Sequence, residues 1–144
     1  RCSLDLAKEQ GLEYEFHEEM IPESHPNTAR IHLLGKSGKT VDIQGASVGG
    51  GNILVEKING MDVSYTGQST TILVRHYDRL GAIAAVTNFM AYSGVNIGNF
   101  RLSRQKKGGE AIMTIEIDGE APEKLTEQLK VLPHVISAII LKVI

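Results

Sequence analysis

The sequence predicts an α+β fold, and three observations support this prediction. Short runs in which apolar and polar residues alternate recur along the 144-residue chain, as they do in half-buried strands. Other segments place apolar residues at three- and four-residue spacings, which is the pattern of an amphipathic helix. Hydrophobic residues make up 42% and charged residues 22% of the chain, which is the balance of a globular protein.

The N-terminal region predicts one helix followed by a strand and a loop. Ser3 can cap the helix and Gly11 ends it, with an apolar stripe of leucine and alanine between them. Residues 12–17 alternate between large apolar and polar side chains, which predicts a half-buried strand. Two prolines make residues 21–27 a loop.

Turn residues divide the next region into hairpins. A strand from Thr28 is followed by a Lys-Ser-Gly-Lys turn at residues 36–39 and by a second strand. A glycine-rich loop is predicted over residues 47–52, and Asn59-Gly60 strongly favours a two-residue hairpin turn. We place a domain boundary after this region, so that residues 1–66 form one domain and residues 70–144 the other.

The second half predicts strands and helices in the order βαββαβ, which is the ferredoxin-like arrangement. Its two helices are expected to cover one face of a four-stranded antiparallel sheet and to leave the other face free for pairing. The predicted strands span residues 71–77, 95–103, 111–117 and 135–143, and the predicted helices span residues 80–93 and 122–132.

Motifs and composition exclude several classes of function. No pair among the five histidines has the helical spacing of a metal site, and neither a nucleophile elbow nor a P-loop occurs. Cys2, the only cysteine, cannot by itself bind an iron–sulfur cluster or zinc, and it favours a reducing, cytoplasmic location. The net charge is −2, and no apolar run approaches the length of a membrane helix. We therefore expect no catalytic residue, metal site, nucleic-acid contact or membrane contact.

The most informative segment, His-Tyr-Asp-Arg-Leu-Gly-Ala-Ile at residues 76–83, joins the first strand of the second half to its helix. Gly81 allows a close turn, and free N–H groups at the start of the helix favour a carboxylate. Asp78 can receive an ammonium group, His76 can bind a hydroxyl or a carboxylate, and Asn96 would lie near a dimer seam. Residue chemistry alone favours a plain turn in which Asp78 caps the helix.

Residues 71–144 resemble an ACT domain, the small amino-acid-sensing module of metabolic enzymes. Residues 76–83 and the Gly-Val-Asn-Ile of residues 94–97 are similar to the serine-binding motif in the regulatory domain of phosphoglycerate dehydrogenase. Asp78 stands where that motif has Asn, and Leu80 stands where it often has Pro. The resemblance implies that L-serine binds where two ACT domains meet, at the residues His76, Asp78, Leu80, Gly81, Asn96 and Ile97.

The whole chain resembles the C-terminal two-thirds of the β chain of iron–sulfur-dependent L-serine dehydratase. Its motifs are the His-Pro-Asn-Thr-Ala of residues 25–29 and the Gly-Ala-Ser-Val-Gly-Gly-Gly-Asn-Ile of residues 45–53, ahead of the ACT domain. The resemblance implies that residues 1–66 are the end of an allosteric-substrate-binding-type α/β domain, and that the ACT domains self-associate.

The same resemblance implies that catalysis and regulation are carried by two different chains. A partner α chain would hold a four-iron four-sulfur cluster and deaminate L-serine to pyruvate and ammonia, while this chain would be a regulatory or structural subunit that is inactive alone. The alternative is a non-catalytic amino-acid-binding module of a phosphoglycerate-dehydrogenase-like enzyme.

The N-terminal motifs allow two interpretations. An anion-binding nest or a subunit interface would use His25, Asn27, Ser47, Gly49, Gly50 and Gly51. Alternatively, the glycines permit a tight bend between strands, and His25 stabilises a turn. No helix pattern follows the glycines, so a dinucleotide site is not expected.

Overall fold

The computed structural model describes residues 2–143, which form two four-stranded antiparallel sheets and three short helices. The α+β fold class is therefore confirmed. The elements in chain order are α1 (Ser3–Glu9), β1 (Thr28–Leu34), β2 (Thr40–Gly49), β3 (Asn52–Ile58), β4 (Met61–Tyr65), β5 (Thr71–Tyr77), α2 (Ala82–Tyr92), β6 (Ile97–Arg104), β7 (Glu110–Ile117), α3 (Leu125–Lys130) and β8 (Val135–Leu141).

The N-terminal sheet is a meander in which β1, β2, β3 and β4 lie side by side in chain order. The hairpin at Asn59-Gly60 is confirmed, and both residues have the positive φ (50° and 75°) that such a turn requires. The glycine-rich loop is shorter than predicted. β2 continues through Ser47 to Gly49, so that only Gly50 and Gly51 lie between β2 and β3.

Two predictions for the N-terminus are wrong. The cap position of α1 is occupied by Cys2, no side chain caps the helix, and none of its residues is buried. Residues 12–17 do not form the predicted strand, and Leu12 and Phe16 are 58% and 78% exposed. Alternation gives a segment two faces, but a strand forms only where a neighbouring backbone accepts its hydrogen bonds.

The C-terminal sheet has the strand order β6-β7-β5-β8, and with α2 and α3 it confirms the βαββαβ arrangement. Fully buried side chains from β5, β7 and the two helices form its core, including Ile72, Met90, Met113, Ile115 and Leu129. The second helix begins at Leu125 rather than at Pro122, whose carbonyl instead accepts a hydrogen bond from the Leu125 amide in a preceding turn.

The face of the C-terminal sheet opposite the helices was expected to be free, but β4 covers part of it. Met61 and Val63, each 3% exposed, pack against Leu73 of β5 and Ile112 of β7. The Tyr65 hydroxyl donates to the Lys142 carbonyl at 2.9 Å. The sheets therefore share an apolar contact. The division into residues 1–66 and 70–144, and the assignment of the N-terminal part to an allosteric-substrate-binding-type domain, remain predictions.

Candidate functional site

The C-terminal end of β5 presents a buried histidine with one unused nitrogen. Alternation along β5 turns His76 to the same face as Ile72 and Val74, toward the helices, and His76 is only 1% exposed. Its Nδ1 donates to the Tyr77 carbonyl at 2.8 Å, which leaves Nε2 as a hydrogen-bond acceptor in the neutral ring. Nε2 has no hydrogen-bond partner among the described residues, so the site has an unfilled polar position.

Asp78 begins the loop that joins β5 to α2, and it binds the neighbouring β6–β7 hairpin. Its Oδ2 accepts hydrogen bonds from the Gly108 amide and the Arg104 guanidinium, both at 3.0 Å. The Gly108 N–H and the Arg104 cation lower the pKa of the Asp78 carboxyl below its ordinary value. Both contacts use one oxygen, so Oδ1 can still receive an ammonium group. Asp78 does not cap α2.

The rest of this loop leads directly into the helix. Gly81 holds the cap position of α2 with φ 83°, a left-handed conformation that favours glycine, so its predicted role in a close turn is confirmed. No side chain caps α2 within the described chain. The Ala82 amide donates to the Arg79 carbonyl at 3.2 Å, whereas the next two amides, of Ile83 and Ala84, have no backbone partner among the described residues and are open to a ligand. The side chain of Leu80 is fully exposed beside them.

Asn96 and Ile97 lie at the opposite end of the sheet. Ile97 pairs with Ile117 at one end of β7, and His76 pairs with Ala111 at the other end. At roughly 3.3 Å per residue along β7, these two ends are about 20 Å apart. The Asn96 amide donates to the Asp118 carboxylate at 2.5 Å, and Ile97 packs against the core. One chain therefore does not bring Asn96 to His76.

The N-terminal candidates gather at one end of the first sheet. The Ser47 amide donates to the Asn27 carbonyl at 3.0 Å, and the Asn27 amide donates to His25 Nδ1 at 3.1 Å. The turn-stabilising role of His25 is thus confirmed. A depression of about 480 Å³ beside His25 is also lined by Glu18 and Glu19, whose charges disfavour an anion there.

The three glycines form an exposed bend between β2 and β3. Gly49, Gly50 and Gly51 all have positive φ, at 89°, 62° and 80°. Asn52 steadies this bend, because its amide donates to the Gly49 carbonyl and its Oδ1 accepts from Gln68, each at 3.2 Å. The interpretation as a bend is confirmed, while a contact with a partner chain remains a prediction.

The sequence did not predict the hydrogen-bond partners of Asp78, and it did not predict a cleft at the other end of the C-terminal sheet. Arg104 and Gly108 are far from Asp78 in the chain, and only the β5–β7 register, which pairs Tyr77 with Glu110, could have indicated their proximity. A cleft of about 690 Å³ opens at the Asn96 end of the sheet. Its polar lining includes Thr70, Asp118, Glu120 and Lys142.

Metal and membrane features were searched across residues 2–143. Within that range no three His, Cys, Asp or Glu side chains are grouped closely enough to hold a metal ion, and Cys2 is exposed. The residues of this chain therefore do not fit an iron–sulfur cluster, which is typically held by about four thiolates. No helix in the described part of the chain is both long and apolar enough to cross a membrane.

Comparisons with known proteins agree with the second half of the fold. The ACT domain family matches residues 70–134. A probable L-serine dehydratase β chain of Bacillus subtilis (strain 168) is 34% identical over 136 residues, which cover 94% of this chain and 61% of that protein. The L-serine dehydratase β chain of Peptoniphilus asaccharolyticus is 31% identical over 131 residues, with coverages of 90% and 57%.

A second group of relatives shares a smaller part of the chain. The D-3-phosphoglycerate dehydrogenase of Methanocaldococcus jannaschii is 29% identical over 97 residues, which cover 67% of this chain and 18% of that enzyme. The chain spans about three-fifths of the length of the β chains it matches, at 61% and 57%.

Proposed function

Because residues 70–134 are an ACT domain and the chain is homologous over 94% and 90% of its length to β chains of L-serine dehydratase, we propose that it is the regulatory, non-catalytic subunit of such an enzyme. Its ACT domain senses an amino acid, L-serine. The observation that carries this proposal is the buried His76, whose Nε2 is unpaired among residues 2–143 and lies at the end of β5 beside the open start of α2.

The chemistry around His76 suits a zwitterionic amino acid. The uncapped N–H groups of α2 favour a carboxylate, and the free Oδ1 of Asp78 accepts an ammonium group. The Nε2 of His76 accepts a hydroxyl proton, which serine offers and alanine does not. The three groups therefore match the three polar parts of L-serine.

Self-association supplies Asn96 to this site. β6 lies at the outer edge of its sheet, so a second copy can pair with it in antiparallel fashion across a two-fold axis. Such pairing brings the start of one β6 beside the end of the other, and hence Asn96 of a second copy toward the Asp78–Arg104 pair. α2 supports this arrangement, because its eleven residues include no charged side chain although Ile83 and Tyr92 are 41% and 90% exposed.

Calorimetric titration with L-serine tests the sensing role. We expect the unaltered chain to bind L-serine and Asn96→Ala to bind it at least tenfold more weakly, about 1.4 kcal/mol. The matched control is Gln128→Ala, which removes an exposed amide from α3, away from β6 and α2, and should leave binding unchanged. Absence of heat with the unaltered chain contradicts the sensing role, and equal affinities in all three proteins remove Asn96 from the site.

The subunit role needs a separate experiment. We propose that the α chain holds the four-iron four-sulfur cluster and converts L-serine to pyruvate and ammonia. This chain alone should form no pyruvate, and anaerobic mixing with the α chain should yield a complex that does. The alternative, a regulatory module of a phosphoglycerate-dehydrogenase-like enzyme, is favoured by the relative from Methanocaldococcus jannaschii. It predicts serine binding without association with the α chain.

A further inference from the structure

Arg104 lies in the same row of the C-terminal sheet as His76. Ala111 of β7 pairs with Arg104 on one side and with His76 on the other, so the backbones of the two outer residues are about 10 Å apart. Alternation along β6 turns Arg104 to the face on which Phe100 packs against the core, and His76 faces the same way. The Ala111 side chain between them is small and buried. A cation and an unpaired imidazole nitrogen therefore share one face at one end of the sheet.

The guanidinium of Arg104 is anchored by one carboxylate oxygen and has donors to spare. Its Nη1 donates to Asp78 Oδ2 at 3.0 Å, and the same oxygen accepts from the Gly108 amide, which fixes the carboxylate. The Arg104 side chain is 53% exposed, and its Nη2 and Nε have no hydrogen-bond partner among the described residues. The N–H groups of these two nitrogens are therefore available to a ligand.

Arg79 carries a second cation at this end of the sheet but is not anchored in the same way. A Cβ on Gly108 would lie 3.6 Å from Nη1 of Arg79, so this guanidinium also lies beside the β6–β7 hairpin. In the described chain, the ion pair of Asp78 is made with Arg104 and does not include Arg79. Arg104 is therefore the cation whose position is fixed relative to the Asp78 carboxylate.

The Asp78–Arg104 pair gives the site one negative and one positive charge, which are the charges of an amino acid in reverse. The ammonium group of the ligand can bind the free Oδ1 of Asp78, and its carboxylate can bind the free N–H groups of Arg104 together with the open amides of α2. An amine that lacks a carboxylate leaves the guanidinium without a partner, and its ammonium group is repelled by that cation. Charge therefore favours the amino acid over the amine.

We propose that Arg104 is a specificity-determining residue of this site and that its guanidinium selects ligands that carry a carboxylate beside an ammonium group. The inference rests on the proposed sensing function and adds to it a residue that lies outside residues 76–83 and 94–97. Without Arg104, the Asp78 carboxylate would attract the ammonium group of any small amine, and the site would distinguish L-serine from such an amine less well.

Calorimetric titration with two ligands tests this role. L-Serine and serinol share the ammonium and hydroxyl groups, but serinol has a hydroxymethyl group in place of the carboxylate. We expect Arg104→Gln to weaken the binding of L-serine at least tenfold and to strengthen the binding of serinol, because the cation that repels its ammonium group is gone. Weaker binding of L-serine without a gain for serinol, or unchanged binding of L-serine, would overturn the proposal.

Two further variants separate the effect of charge from an effect on folding. Arg104→Lys keeps a cation but not the planar fork of donors, so its preference for L-serine should lie between those of the unaltered chain and Arg104→Gln. A preference as low as that of Arg104→Gln would show that the charge does not select the ligand. Arg30→Gln makes the same change on β1 of the first sheet and should alter neither affinity.

The same titrations distinguish failure of this inference from failure of the proposed function. If the unaltered chain binds no L-serine, the sensing function is refuted and the role of Arg104 falls with it. If the unaltered chain binds L-serine and Arg104→Gln keeps the same preference over serinol, sensing stands and only the role of Arg104 is refuted.

Discussion

At the scale of single residues, His76 and Asp78 lie two positions apart but have different surroundings. The His76 side chain faces the core, whereas the Asp78 side chain faces the β6–β7 hairpin. His76 points into the core, and its Nε2 has no hydrogen-bond partner within the described chain. Asp78 holds the β6–β7 hairpin through Gly108 and Arg104, with its side chain 21% exposed. The carboxylate thus positions the loop through Oδ2, and neither of these two contacts uses Oδ1.

The hydrogen bonds of Asp78 make part of the stability of this chain dependent on pH. Because the pKa of Asp78 is lowered in the folded protein, its contribution is present above the pKa of the unfolded chain, about 3.9, and is lost as the pH falls through the folded value. We expect Asp78→Asn to lower the free energy of unfolding at pH 7. The difference from the unaltered chain should shrink as the pH falls below about 4. Urea unfolding at a series of pH values measures it.

Arg104→Gln supplies the control for this prediction. Without its Arg104 partner, the carboxylate of Asp78 keeps the Gly108 amide as a donor but loses the cation. The pH-dependent cost of Asp78→Asn should therefore be smaller in the Arg104→Gln background. A cost that is the same at every pH would show that the carboxylate charge does not stabilise the fold.

At the scale of elements, the start of α2 depends on the backbone conformation of Gly81 and not on a capping side chain. Gly81 has φ 83°, and a Cβ added there would meet no atom within 4 Å, so a substitution tests conformation without a clash. Gly81→Ala should cost about 1 kcal/mol in the free energy of unfolding, because an alanine is strained in the left-handed region. Gly35→Ala is the control, since its Cβ would make only an ordinary 3.5 Å contact with the Lys39 carbonyl. Equal losses at both sites in urea unfolding would contradict this explanation.

Elements whose signals are local were predictable from the sequence, and those that need a distant partner were not. The apolar spacing of α2 and the Asn59-Gly60 turn each lie within a few residues, and both are found where the sequence predicts them. Residues 12–17 have the alternation of a strand, but no local pattern identifies a neighbouring edge. The hydrogen bonds of the candidate site could not be predicted for the same reason, because the partners of Asp78 are 26 and 30 residues away in the chain.

At the scale of the whole molecule, β4 connects the two sheets, because it is a strand of the first sheet and its side chains pack against the second. Its alternation predicts a buried face but does not identify what covers it. In the structure that face lies on the C-terminal sheet through Met61 and Val63. Gln105, the first residue after β6, donates to the Asn59 carbonyl at 3.3 Å, so the loop beyond β6 also contacts the first sheet. The two sheets are therefore joined by packed side chains and by a hydrogen bond.

Shared packing predicts that the two sheets lose stability together. Met61→Ala removes a side chain that is 3% exposed between β4, β5 and β7, and truncation of a buried methionine costs about 2–5 kcal/mol. If the contact is common to both sheets, hydrogen-exchange protection should fall by a similar factor in β2 and in β7. Met20→Ala is the matched control, because Met20 is 92% exposed and its loss should change protection in neither sheet. Loss of protection confined to β2 would mean that the N-terminal sheet unfolds by itself, and the packing of β4 would then carry no coupling between the sheets.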